Sequence, residues 1–133
     1  MATIIKTWAT AVVLAITDFY GGSVAGLAAD QKYDYTADID LETAGQEGAH
    51  VTIGFKGSNS TNDLVVDVFA SLDGTTYDTE PFMHLLLSND GSPRQQSIIV
   101  NDVAHFRLGL KSTGTDTTFD YSVTHQRWLL TNA

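Results

Sequence analysis

Between Ala49 and Trp128 the chain alternates apolar and polar residues in short runs, most of them closed by a turn-forming cluster. Val51, Ile53 and Phe55 alternate with Thr52, Gly54 and Lys56, the period of two expected of a half-buried strand, whose successive side chains point to opposite faces. The run Asp63 to Leu72 differs. Leu64, Val66, Val68 and Ala70 mark one face, and Val65 and Phe69 mark the other, which predicts a central strand covered on both sides. Asp73-Gly74 follows and predicts a tight hairpin turn, because both residues tolerate the left-handed backbone conformation. Phe82 to Leu87, Gln96 to Val100, Ala104 to Lys111 and Thr118 to Leu130 complete the series. Turn signals recur roughly every 8 to 12 residues, the spacing of a sandwich rather than of β-α-β units.

Upstream of Gly48 the pattern is less uniform. Tyr35, Ala37, Ile39 and Leu41 alternate with Thr36, Asp38, Asp40 and Glu42, predicting one strand with its acidic residues outward. Gly45 and Gly48 then supply a tight connection. At the N-terminus Ile4, Ile5, Trp8, Ala11, Val12 and Ala15 fit a helical stripe, while the β-branched content of the same segment favours extended structure. The apolar run Ala11 to Ile16 and the small residues Ala25 to Ala29 resemble a secretory leader. The polar, charged insert Thr17 to Ser23 separates them, so the segment reads as retained structure. No apolar stretch approaches the roughly 20 residues that span a bilayer, and no internal repeat is present. The predicted architecture is all-β: one domain over residues 1–133, an antiparallel β-sandwich or jelly roll of about eight strands, with residues 1–30 as an N-terminal extended arm or strand.

Composition narrows the function. Seven Lys and Arg stand against 16 Asp and Glu, a net charge of -9, so the surface repels phosphate backbones and anionic membranes; neither nucleic acid nor a membrane is an expected partner. The absence of cysteine removes disulfides and thiolate chemistry. Four histidines remain, at positions 50, 84, 105 and 125, without a close metal-ligand spacing. His105 shares a face with Arg107, Gly109 and Lys111, which predicts a solvated sheet face. The acidic groups Asp34, Asp38, Asp40 and Asp73, Asp78, Glu80 read as edge and turn residues. The second group offers oxygen donors to calcium on a tight loop but lacks the EF-hand pattern. No Gly-x-Ser-x-Gly elbow occurs. The chain is therefore expected not to be an enzyme and to carry no cofactor or metal. Trp8, Tyr20, Tyr33, Tyr35, Tyr77 and Trp128 leave a second class open, a carbohydrate-binding module with a flat aromatic platform. Trp128, opposite in parity to Tyr121 and Val123, is expected at a sheet edge or subunit contact.

The blocks Glu47-Gly-Ala-His-Val-Thr-Ile-Gly-Phe55, Asp63 to Thr79, Val103-Ala-His-Phe-Arg107 and Gln126-Arg-Trp128 resemble small β-sandwich virion structural proteins of tailed bacteriophages, over about residues 38 to 128. That resemblance implies a virion component assembled in the host cytoplasm: a head decoration (cement) protein first, a neck or tail component next. It implies the major capsid protein or other virion proteins as partners, and a homo-oligomer, with a trimer among the options. A cement protein needs a rigid body and an edge that pairs with its lattice, for which Ile4, Ile5, Trp8 and Trp128 are the candidate partner-binding residues.

Overall fold

The computed structural model describes residues 4–14, 33–57, 62–113 and 119–132. Within them the chain forms β1 (Ile4–Trp8), β2 (Val12–Leu14), β3 (Asp34–Tyr35), β4 (Ile39–Asp40), β5 (Gly48–Gly57), β6 (Leu64–Ser71), β7 (Met83–Leu87), β8 (Arg94–Asn101), β9 (His105–Ser112) and β10 (Phe119–Asn132). Tyr20 and the leader-like features between residues 15 and 29 lie outside the described residues. The first sheet has the order β1-β10-β5-β8, with β2 also on β10; the second has the order β3-β9-β6-β7, with β4 also on β9. All pairings are antiparallel. Counting β1 with β2 and β3 with β4 gives four strand positions in each sheet. Their order is that of a jelly roll.

The core lies where the inward residues of the two sheets meet. Val51, Ile53 and Phe55 of β5 face Val66 and Val68 of β6 and Phe106, Leu108 and Leu110 of β9, all buried. As the sequence predicts, β6 is central and covered on both sides: seven of its eight residues are buried. In contrast, β7 and β8 are edges.

Two β-bulges explain where simple alternation misleads. Trp8 lies opposite Trp128, whereas Val12 lies opposite His125, so the N-terminal strand holds one more residue than its partner in that interval. The Ala9 amide donates to the Arg127 carbonyl at 2.8 Å, and the Gln126 side-chain amide donates to the Ala9 carbonyl at 2.8 Å. Trp8 therefore faces outward, and Val12 packs onto the core. The resulting shift in parity produces the three- and four-residue spacing that resembles a helix. Likewise Tyr35 lies opposite Gly109 and Ile39 opposite Phe106. The single strand expected from Tyr35 to Leu41 is thus split: Tyr35 faces outward, Ile39 and Leu41 are buried, and Ala37 is exposed. Thr36 bridges the shift, its amide donating to the Leu108 carbonyl and its hydroxyl accepting from the Leu108 amide.

The tight hairpin at Asp73-Gly74 is also corrected. These residues form a turn inside the longer connection Leu72–Phe82, where Gly74 has φ 78°. Asp73 Oδ1 accepts from the amides of Thr75 and Thr76 at 2.9 and 2.8 Å, and the Ser71 hydroxyl donates to the Thr76 carbonyl at 2.7 Å. These side-chain bonds hold the turn together with the antiparallel bridge of Ser71 with Tyr77, which closes a wider loop than a two-residue hairpin.

Candidate functional site

The two outer faces of the sandwich are chemically unlike. On the second sheet, alternation sends Asp67 and Phe69 of β6, His84 of β7, and His105, Arg107 and Lys111 of β9 to the outside. Asp67 is nevertheless 2% exposed. It accepts a hydrogen bond from the Tyr33 hydroxyl and pairs with His84 Nδ1. Burial first, and then the Asp67 bond, push the Tyr33 hydroxyl pKa up. Phe69 meets the edges of Tyr33 and Tyr35 at centroid separations of 5.4 and 5.8 Å. The Arg107 guanidinium stacks on Tyr35 at 3.7 Å and on Tyr77 at 4.0 Å, and Lys111 Nζ stands 4.4 Å from the Tyr33 ring. Gly109 makes room for this layer: a Cβ there would lie 2.8 Å from a Tyr33 ring carbon.

The layer continues into a carboxylate cluster. Tyr77 donates to Asp38 Oδ1 at 2.5 Å, and His105 Nδ1 lies 2.8 Å from Asp38 Oδ2, with Asp40 at 3.8 Å and Glu42 at 3.9 Å. The hydrogen bond with Asp38 raises the His105 pKa. His105 was expected on a solvated face. It is instead buried, because the bulge between β3 and β4 brings three carboxylates around it. Asp34, expected as an outward edge residue, is also buried, and it accepts from the Tyr121 hydroxyl at 3.2 Å. His125 faces the core from the first sheet, where burial, and then the charge of Arg127, push its pKa down to about 4 and keep it neutral.

The outer face of the first sheet runs in rows across β10, β5 and β8: Trp128-Gly48-Asn101, Gln126-His50-Ile99, Thr124-Thr52-Ser97 and Ser122-Gly54-Gln95. Thr52 and Ser97 hydroxyls are 2.9 Å apart. These four rows hold no Asp or Glu; Lys6 and Lys56 lie on the same face, where Asp120 is the register partner of Lys56. Trp128 anchors one end, lying over Gly48, where a Cβ would come within 2.5 Å of its ring and 2.7 Å of the Val100 carbonyl. Trp8 packs against it at 5.4 Å, and Lys6 Nζ lies 4.6 Å from the Trp128 ring.

The sequence-predicted partner residues are therefore brought together, although not as an independent arm. Ile4, Ile5 and Trp8 are exposed on β1, which pairs with β10 of the same chain. Trp128 is 6% exposed and sits in an interior strand between β1 and β5, not at an edge. Among the described residues the candidate aromatics do not share one platform: Trp8 and Trp128 belong to the first sheet, while Tyr33, Tyr35 and Tyr77 lie over the second. Missed by sequence reasoning were Asp67 with His84, and the stacking of Arg107. Asp67 interrupts the apolar run of β6, and a carboxylate inside an otherwise buried strand was the available signal for a satisfied partner. Open grooves of about 490 and 430 Å³ adjoin Phe55, Arg94 and Gln95. Neither gathers a pair of acidic or histidine side chains along its lining.

No family model and no curated protein sequence matches the chain. Solved structures do resemble it in fold. A CBM35 from Cellvibrio japonicus Abf62 is 13% identical with a TM-score of 0.54, over 87% of this chain and 92% of that one. The structure of infectious bursal disease virus Gx strain is 8% identical with a TM-score of 0.52, over 93% of this chain and 32% of that one. A protein of the disulfide-linked pili that form Bacillus endospore appendages is 9% identical with a TM-score of 0.50, over 97% of this chain and 90% of that one. These likenesses show a β-sandwich domain.

Proposed function

We propose that this chain is a structural component of a tailed-bacteriophage virion, a head decoration (cement) protein that binds the major capsid protein and stabilises the shell surface. The observation that carries the reading is that the four rows from Trp128-Gly48-Asn101 to Ser122-Gly54-Gln95 on the outer face of the first sheet hold no carboxylate, on a chain of net charge -9. Elsewhere, acidic groups oppose close approach to another acidic protein surface. Here hydroxyls, amides, Ile99 and Trp8 form a broad contact area without that cost. The resemblance described above supplies the particle, and the jelly roll is an architecture that capsid and lectin domains use. A neck or tail component would use the same face against a different lattice.

The test is co-sedimentation of the purified protein with bare capsids. Saturable binding is expected, weakened at least about tenfold by the double variant Thr52→Glu, Ile99→Glu, which introduces like charge at the centre of the face. Binding to tail tubes and not to capsids would move the protein to the tail. Binding to neither, or binding indifferent to the two glutamates, would overturn the reading.

A further inference from the structure

β5 begins at Gly48, opposite Trp128, so among the described strands β10 beyond Trp128 pairs with β1 alone. Ile4–Thr7 and the end of β10 thus extend as a two-stranded ribbon past the row Trp128-Gly48-Asn101. Ile4 is 67% exposed, and Ile5 and Leu130 are also open, with Lys6 opposite Leu130. An isolated two-stranded ribbon that presents apolar side chains is marginal by itself in water. It gains from burial against another surface.

A matching surface lies on the same chain, in the other sheet. Leu72, 87% exposed, borders a hollow of about 160 Å³ whose walls include Ala70, Val103 and Ala104. Asp78 and Asp102 stand at that hollow, and neither has a cationic partner among the described residues. The ribbon offers apolar groups around one cation; the hollow offers apolar walls beside two anions. A ribbon and a hollow that differ in this way are complementary between copies: the ribbon of one copy can seat on the hollow of another.

We infer that copies of this chain associate, the β1 ribbon of one copy seating on the hollow beside Leu72 of another, with Lys6 against Asp78 and Asp102. The contact uses the Lys6 end of the first sheet's outer face and leaves the rows Gln126-His50-Ile99 and Thr124-Thr52-Ser97 free, and so deepens the virion reading. It rests on that reading only for its biological setting.

Sedimentation velocity on the full chain over a concentration series tests it without any capsid. The wild type is expected to self-associate, and Lys6→Glu to weaken association about tenfold or more, since it places like charges together. Leu72→Asp should do the same. Mixing Lys6→Glu with the double variant Asp78→Lys, Asp102→Lys should restore association, because each would then supply the complementary charge. Circular dichroism checks that every variant is folded. A wild type that stays monomeric at the highest concentration overturns the inference. So does association unaffected by Lys6→Glu and Leu72→Asp, or a loss that the mixed variants do not restore. Capsid binding by a monomeric wild type would break this inference and leave the proposed function standing.

Discussion

The two outer faces of the sandwich solve the same problem in opposite ways. The second sheet covers itself: Tyr33, Tyr35 and Tyr77 fold over β6 and β9, and Asp67, His84, Asp38 and His105 pair with one another or with those tyrosines. These carboxylates and histidines are satisfied within the chain, while the buried Arg107 Nε has no hydrogen-bond partner and its guanidinium stacks on Tyr35 and Tyr77 instead. The first sheet leaves the four rows of its outer face without a carboxylate, and its Trp8–Trp128 corner is closely packed. A face already filled by its own side chains has little left to offer a partner. A face that stays bare while the rest of the surface is acidic is the better candidate for contact, because bringing it against another protein displaces water without desolvating carboxylates.

The sharpest way to break this comparison is to truncate one apolar side chain on each outer face. Phe69 is 4% exposed and touches two tyrosine edges, so Phe69→Ala should cost about 3 to 5 kcal/mol of stability. Ile99, more than half exposed at the centre of the first sheet's outer face, should cost within about 0.5 kcal/mol as Ile99→Ala. Urea denaturation midpoints measure both. Equal losses would mean that the two faces are not different in kind.

Next in size is the one tight spot on the bare face. Gly48→Ala puts a methyl group into the Trp128 ring and the Val100 carbonyl, and the carbonyl belongs to a strand that cannot easily retreat. A cost of about 1 to 3 kcal/mol is expected. Adding Trp128→Leu should make the pair non-additive, because the larger clash partner is then gone. Full additivity in the same denaturation experiment would show that the ring is not what excludes the methyl group.

Much of this arrangement was legible in the sequence where strands are regular. Val51, Ile53 and Phe55 alternate into the core as predicted, and the doubly apolar run of β6 is central, because burial on both faces leaves a direct compositional trace. Legibility failed at the bulges. One extra residue between Trp8 and Val12, and another between Tyr35 and Ile39, reverses which side chains face inward, and no local residue type announces it. The outer layer of the second sheet was hidden for a related reason. Tyr33 and Asp67 are far apart in sequence, as are Asp38 and His105, and only the strand order brings them together. Trp128 was misplaced at an edge because parity gives a face and says nothing of which strands lie on either side.

The smallest expected effect tests whether the layer of the second sheet depends on charge. His105 gains a proton more readily in the folded chain, chiefly through its hydrogen bond with Asp38, with the charges of Asp40 and Glu42 adding to it. A histidine whose folded pKa is raised contributes stability that is complete below its unfolded value of about 6.5, and that is lost as pH rises through the folded pKa. His125 works in a different window: its pKa of about 4 makes stability fall as pH drops from about 6.5 towards 4, and it contributes no slope above that. The urea midpoint of the wild type should therefore decline between about pH 6.5 and 9, and that of His105→Gln should decline less over the same range. Identical slopes in the two proteins would assign the layer's cohesion to its rings and neutral hydrogen bonds. A flatter slope in the variant would show that the self-covered face is also held by the charge on His105, whereas the charge packed on the other face is a lysine ammonium, Lys6 over Trp128.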